Sequence, residues 1–383
     1  MIVSYYFSSP EGDVPADDAT LARPFVVRPL ETHAFMVLKD YFDAVKGFLL
    51  REDGQPLALL LSRLWNREVG IDDPEKIIVR YEKYGTLYQI ASAEVLAEDQ
   101  KAVLAVTAAM SSSARGTLEN EFTLLQELNR RIQPSYLPTV YQKGEITVQG
   151  AAGSEIILIT LSEWFEGFHE WHFSKDKEGR EGIVIWDMGG GFRFASPHEA
   201  HEIIRQASMI LTLHYGLDDY MHISPWHHGA GDFIVKTVGE VVEVRLVTVR
   251  GYEPIAPEFR GKKARPADAL FQFFLNMSIK MRLDKQEGMG EPFWAPAAVV
   301  DALVKGFFQA LKIKESEAER RKITADEFAR YLDSMSEDWL EAILFANLSD
   351  YRFYDQSDAA FIEKHVGEHA KELRQAISKF LSE

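Results

Sequence analysis

Residues 199–254 constrain the fold more than any other stretch, because a helix signal, a polar loop and a hairpin signal follow one another there without a gap. Ile203, Ala207, Ile210, Leu211 and His214 recur at i, i+4, i+7, i+8 and i+11, the spacing of a helix with one buried face. A loop dense in His, Asp and Gly follows (His222, His227, His228, Gly229, Gly231, Asp232). Two β-branched runs, FIVKTV and VVEVRLVTV, then flank Gly239-Glu240 and predict a hairpin. The polar groups are thus concentrated between a buried helix and a pair of strands.

Upstream, KIIVRYE, GTLYQIASAEV and AVLAVTAAM predict three strands between Lys76 and about Met110, broken at Lys83-Tyr84-Gly85 and at AEDQK. Leu118, Phe122, Leu125, Leu128 and Ile132 then share one helical face. After Leu137-Pro138, two further strands are predicted around EITV and EIILITL. They lead to Ser162-Glu163-Trp164-Phe165, and a crossing to a second lobe is placed near Glu163–Gly167.

Taken together, this order resembles the protein-kinase-like superfamily, in its aminoglycoside and choline phosphotransferase branch. The resemblance covers about residues 76–310, through three strands, a helix, two strands, a buried helix, a polar loop and a hairpin. It implies an α+β, two-lobed fold with a five-stranded antiparallel small lobe (76–165), a mainly helical large lobe (166–383) and an extra helical N-terminal segment (1–75). Laid on the family's loop pattern, Gly231-Asp232-Phe233-Ile234-Val235 puts Asp232 at the metal-ligand position. His227 falls at the position of the catalytic base, and Leu246-Val247-Thr248-Val249 ends the second strand without a carboxylate. Glu121 matches the helix Glu that orients the nucleotide-gripping Lys, but Val103–Ala109 contains no Lys for it, so Glu121 is expected to be a solvated helix residue. The turn at Tyr84 and Gly85 would face a nucleotide with a single Gly.

The net charge of −17, from 59 acidic and 42 basic residues, argues against a nucleic-acid or anionic-membrane surface. With no cysteine there is neither a disulfide framework nor a thiolate metal site. No run of about 18 apolar residues occurs, and the first residues, MIVSYYFSSPEGD, have no basic and apolar leader pattern. The cytoplasm is the expected location.

Residues 1–30, with Pro10, Pro15, Pro24 and Pro29 among acidic residues, are expected to be irregular. Thr32–Leu50 is expected as one amphipathic helix and PLALLLSRLW as a second after Asp53-Gly54, both packing on the small lobe. Beyond Pro257 three helical stripes are expected. They are Leu270, Phe273, Phe274, Met277 and Met281; Val299, Val300, Leu303, Phe307 and Leu311; and Ile362, Val366, Ala370, Leu373, Ile377 and Phe380. KIKESEAERRK (312–322) reads as an exposed charged helix end.

Eight of the eleven histidines lie between 169 and 228, among them the pairs His169/His172 and His198/His201. On a helix, i and i+3 histidines share a face, but neither pair has the HExxH spacing. Asp187-Met188-Gly189-Gly190-Gly191 between IVIW and FRF is expected as a hairpin turn. No metal site is expected. Adjacent His227 and His228 on an extended segment point to opposite sides, so with Asp232 they are expected to line an open cleft.

The reading is therefore a catalytically degenerate kinase-like protein, a binding or regulatory module for a small molecule or protein partner, with no cofactor expected. One enzymatic alternative is a divergent phosphotransferase using Mg-ATP, with Asp232 on magnesium and His227 as base. The other is a metal-dependent hydrolase built on the His cluster.

Overall fold

The computed structural model describes residues 1–383 except 10, 29–30, 86, 99, 151–152, 188–189, 229–230, 256–264, 287–289, 318–322 and 352–355. Residues 318–322 of the charged 312–322 run and the loop residues 188–189 and 229–230 therefore lie outside the described residues. The chain is α+β, and its contacts divide it into two compact units. The first comprises residues 1–130, 138–166 and 188–190, and the second comprises 131–137, 167–187 and 191–383.

In the first unit, β1 (Ile2–Phe7), β2 (Val14–Pro15), a short α1 (Asp18–Leu21), β3 (Pro24–Arg28) and β4 (Glu31–Val37) precede α2 (Leu38–Leu49). The described part of residues 1–30 thus carries three strands and a short helix, contrary to the expectation of irregular structure, and the helix expected from Thr32 begins only at Leu38. Local propensity explains the first difference: IVSYYF is β-branched and aromatic, and its pairing outweighs the prolines that follow it. A 3-10 turn (Arg51–Gly54) leads into α3 (Gln55–Leu64). Next come β5 (Lys76–Tyr84), β6 (Gln89–Ala97), β7 (Gln100–Ala109), α4 (Ser112–Arg131), β8 (Val140–Gly150) and β9 (Gly153–Glu163).

The strands from 76 to 163 lie in one sheet, but that sheet has seven strands and not five, in the order β2-β1-β5-β6-β7-β9-β8. The two additional strands come from the N-terminus, with β1 running parallel to β5 from Ile2↔Lys76 to Phe7↔Tyr81. Strand alternation gives the sheet two covered faces. On one, Val79, Ala93, Leu104, Val106, Ile157 and Ile159 pack in a cluster with Tyr41, Phe42, Val45, Phe48 and Leu61 of α2 and α3. On the other, Ala109 and Leu158 meet Ala114 and Leu118 of α4. Residues 1–75 are accordingly part of the same compact unit as the strands.

The second unit is less purely helical than expected. β10 (His169–Lys175), β11 (Glu181–Asp187) and β12 (Gly191–Phe194) precede α5 (Pro197–Leu213), followed by β13 (Met221–Ile223), β14 (Phe233–Val238), β15 (Val241–Leu246) and β16 (Tyr252–Pro254). A five-stranded sheet runs β12-β11-β10-β14-β15, and β13 pairs with β16. The β14–β15 hairpin turns at Gly239 (φ +61°), and β11 pairs with β12 from Val184↔Phe194 to Asp187↔Gly191, as expected from the glycines.

Helix α5 begins at a capping box in which Ser196 and Glu199 satisfy each other's amides, with Pro197 in the first turn. Then come α6 (Pro266–Arg282), β17 (Leu283–Lys285), β18 (Pro292–Trp294), α7 (Ala298–Glu317), α8 (Ala325–Asp333), α9 (Glu337–Tyr351), α10 (Gln356–Glu363) and α11 (Val366–Ser382). The stripes on α6 and α7 are buried as expected, whereas the third is split, with Ile362 on α10 and the rest on α11. Among the described residues, no helix is long and apolar enough to cross a membrane.

Candidate functional site

The loop between β13 and β14 is closed by its own chemistry. Asp232 is fully buried, and its Oδ2 accepts the amide of His227 at 2.8 Å. Arg250, beyond β15, donates Nη1 to Oδ2 at 2.8 Å and Nη2 to Oδ1 at 2.7 Å, a two-pronged charged pair. The amide of Gly231 donates to the carbonyl of His228 at 2.9 Å, and that of Val247 to the carbonyl of Asp232 at 2.8 Å. Gly231 has φ +71°, and a Cβ there would fall 2.7 Å from the carboxylate of Glu170 on β10, so both backbone and space require glycine.

This arrangement overturns the expectation that Asp232 faces an open cleft. Both of its oxygens already hold donors inside the second unit, and removal from water makes an unpaired carboxylate costly, which is why a guanidinium accompanies it. The resemblance implies magnesium at this position, and the residues do not fit it: Asp232 is committed to Arg250, and 246–249 offers no second carboxylate.

A different cluster forms beside it. Potential ligand atoms of His227, His228 and Asp284 all lie within 4.8 Å of one another. His228 and Asp284 are buried, and His227 is half-buried. His228 stacks on Trp171 (centroids 5.1 Å, 23°) and meets Phe173 edge-on at 5.6 Å, because both residues point to the same side of β10. Asp284, on β17 just after α6, accepts the amide of Phe173 on Oδ2 at 2.8 Å and that of Lys285 on Oδ1 at 2.7 Å.

Nδ1 of His228 lies 3.3 Å from Oδ2 of Asp284 without the alignment of a hydrogen bond, and Nε2 has no hydrogen-bond partner among the described residues. Burial opposes ionisation of Asp284, yet His228 and the two amides outweigh it and hold the carboxyl below its ordinary value. Burial, reinforced by His228, pulls the His227 imidazole down to about 3.

The remaining sequence candidates are scattered. His169 and His172 lie on strand β10, not on a helix, and an odd separation on a strand sends them to opposite faces, so they do not form a shared site. His198 is exposed with Nε2 3.2 Å from the carbonyl of Glu240. Glu121 on α4 is 5% exposed, buried and not solvated as expected. Tyr84 closes β5, and the amide of Gly85 donates to the carbonyl of Tyr88 at 2.8 Å. These three residues belong to the first unit, whereas His227 and Asp232 belong to the second.

Sequence reasoning missed Arg250, Asp284 and Trp171. Arg250 was legible as the first charged residue after the second strand of the hairpin. Asp284 lies 52 positions beyond Asp232, in a three-residue strand with no periodic signal. No protein-family model matches this chain, and no curated protein matches it.

Proposed function

We propose that this chain is a kinase-like scaffold without phosphotransfer chemistry, acting in the cytoplasm as a binding or regulatory module for a small molecule or a protein. The order of elements supports this reading. Five antiparallel strands, β5 to β9, share one sheet with α4 inserted between β7 and β8, and α5, the polar loop and the β14–β15 hairpin follow in the second unit.

The observation that carries the loss of catalysis is the Asp232–Arg250 pair. Phosphoryl transfer depends on positioning and on neutralising charge around the phosphates. Here the residue at the metal-ligand position is neutralised by the protein itself. Strand β7 has a Lys only at its start, Lys101, which pairs with Glu166 at 2.5 Å, and Val103–Ala109 carries none.

The test is calorimetric titration of the full chain with ATP and magnesium, which is expected to show no saturable heat. Magnesium-dependent binding at about micromolar concentration, tight enough to contribute roughly 8 kcal/mol, would restore the phosphotransferase alternative.

A further inference from the structure

We infer that His227, His228 and Asp284 form a binding site for one divalent transition-metal ion of the zinc type, which ties the β13–β14 loop to β17. This inference stands apart from the kinase-like reading, since none of the three ligands serves it as a magnesium residue. Two imidazoles and one carboxylate make a donor set that suits zinc or cobalt, and it disfavours magnesium and calcium, which take oxygen ligands.

The expectation of no metal site rested on an extended segment that sends neighbouring histidines apart. In the structure the loop is bent back by the bonds of Asp232 to the His227 amide and of Gly231 to the His228 carbonyl, and the two rings lie 5.2 Å apart at 42°.

The geometry is close to what coordination needs. With zinc–ligand bonds of about 2.0–2.1 Å, the edge of a coordination tetrahedron is about 3.3 Å. The 3.3 Å between His228 Nδ1 and Asp284 Oδ2 already has that length, and the whole triad falls within 4.8 Å.

The supporting shell is also in place. Backbone amides of Phe173 and Lys285 orient the carboxylate, each leaving a lone pair on its oxygen, and the indole of Trp171 fixes the plane of the His228 ring. An independent sign of a missing partner is Nδ1 of His228, the nitrogen turned toward Asp284, which is fully buried and has no hydrogen-bond partner among the described residues. Buried polar nitrogens are rarely left so. Half-buried His227 supplies the path by which an ion enters, and three protein ligands leave a fourth position for water or a bound group.

The experiment loads chelator-treated full-length protein with zinc sulfate or cobalt chloride. It reads bound metal by elemental analysis, the cobalt d–d spectrum in visible light, and the thermal midpoint. About one equivalent per chain, a visible band of a four- or five-coordinate cobalt ion and a raised midpoint are expected.

Asp284→Asn and His227→Ala should each weaken cobalt binding by at least about tenfold, whereas His198→Ala should leave it unchanged. His227→Ala removes a half-exposed side chain, so it keeps the test decisive if Asp284→Asn does not fold. Less than about a tenth of an equivalent on the folded wild-type chain would overturn the inference, leaving a buried His228–Asp284 contact in its place. Full binding by the His227→Ala variant would overturn it equally.

Discussion

Gly306 on α7 lies so close to Arg205 on α5 that a Cβ added to it would stand 1.9 Å from the Arg205 carbonyl oxygen. The two helices therefore cross backbone to backbone, and no side-chain adjustment can make room. Gly306→Ala is expected to lower stability by roughly 1–3 kcal/mol or more, as overpacking does. Gly47→Ala on the exposed side of α2 meets nothing within 4 Å and should raise stability by about 0.5–1 kcal/mol through helix propensity. Urea unfolding of the two variants tests both signs.

Removing Asp232 should be costly, because it takes away the buried carboxylate that binds both the Arg250 guanidinium and the His227 amide. Asp232→Ala is expected to cost roughly 2–4 kcal/mol. Arg250→Ala should cost a comparable amount, and the double variant much less than the sum. A double-mutant cycle in urea checks the coupling, and additive losses would show that the pair is not the anchor of the loop.

Acid should unfold the second unit through buried neutral histidines. His214, with neither ring nitrogen hydrogen-bonded among the described residues, is held at about 3 by burial and by Lys314 and Arg131. Burial also holds His222 at about 4 against its Nδ1 contact with the Glu253 carbonyl, and it holds His369 at about 3, with Arg282 adding to the effect.

All three folded values lie below the unfolded value of 6.5, so between about 6.5 and 3–4 the unfolded chain binds protons that the folded chain does not. Stability is then fully present above pH 6.5 and falls with acidification, by about 1.4 kcal/mol per pH unit for each group. Glu199, held at about 2 chiefly by Arg193, adds a loss of the same sign below its ordinary 4.5. His214→Leu should remove about one proton from the slope between pH 6 and 4, which thermal melts across that range would show.

Gly231→Ala should strain the loop twice, through φ +71° and through the Glu170 carboxylate 2.7 Å from the new Cβ. A loss of roughly 2–3 kcal/mol is expected, of which Glu170→Ala in the same chain restores only the steric part. Full restoration would mean that the positive φ carries no cost.

How much of this was legible depends on the range of the interaction. Periodicity over a single element found α5, the stripes of α6 and α7, and the β14–β15 hairpin, because one buried face repeats at a fixed spacing. It overestimated the length of α2, whose first turns are taken by β4, and it missed β1, whose pairing with β5 depends on a partner some seventy positions away.

The candidate site divides in the same manner. The sequence pointed to His227, His228 and Asp232 as a dense polar loop, but no local pattern says that Arg250 satisfies Asp232 or that Asp284 approaches His228. Those facts follow from where α6 ends and from the side of β10 that carries Trp171 and Phe173.

The parallel pairing of β1 with β5 also governs how the chain can be shortened. A polypeptide begun at Lys76 would keep every strand from β5 to β9 but would bare the amides and carbonyls of β5 along its outer side, over the span from Lys76 to Tyr81. It would also lose the aromatic residues of α2 from one face of the sheet. An open, apolar strand edge is a template for pairing with another molecule, so such a fragment would gather into aggregates although its own strands were intact.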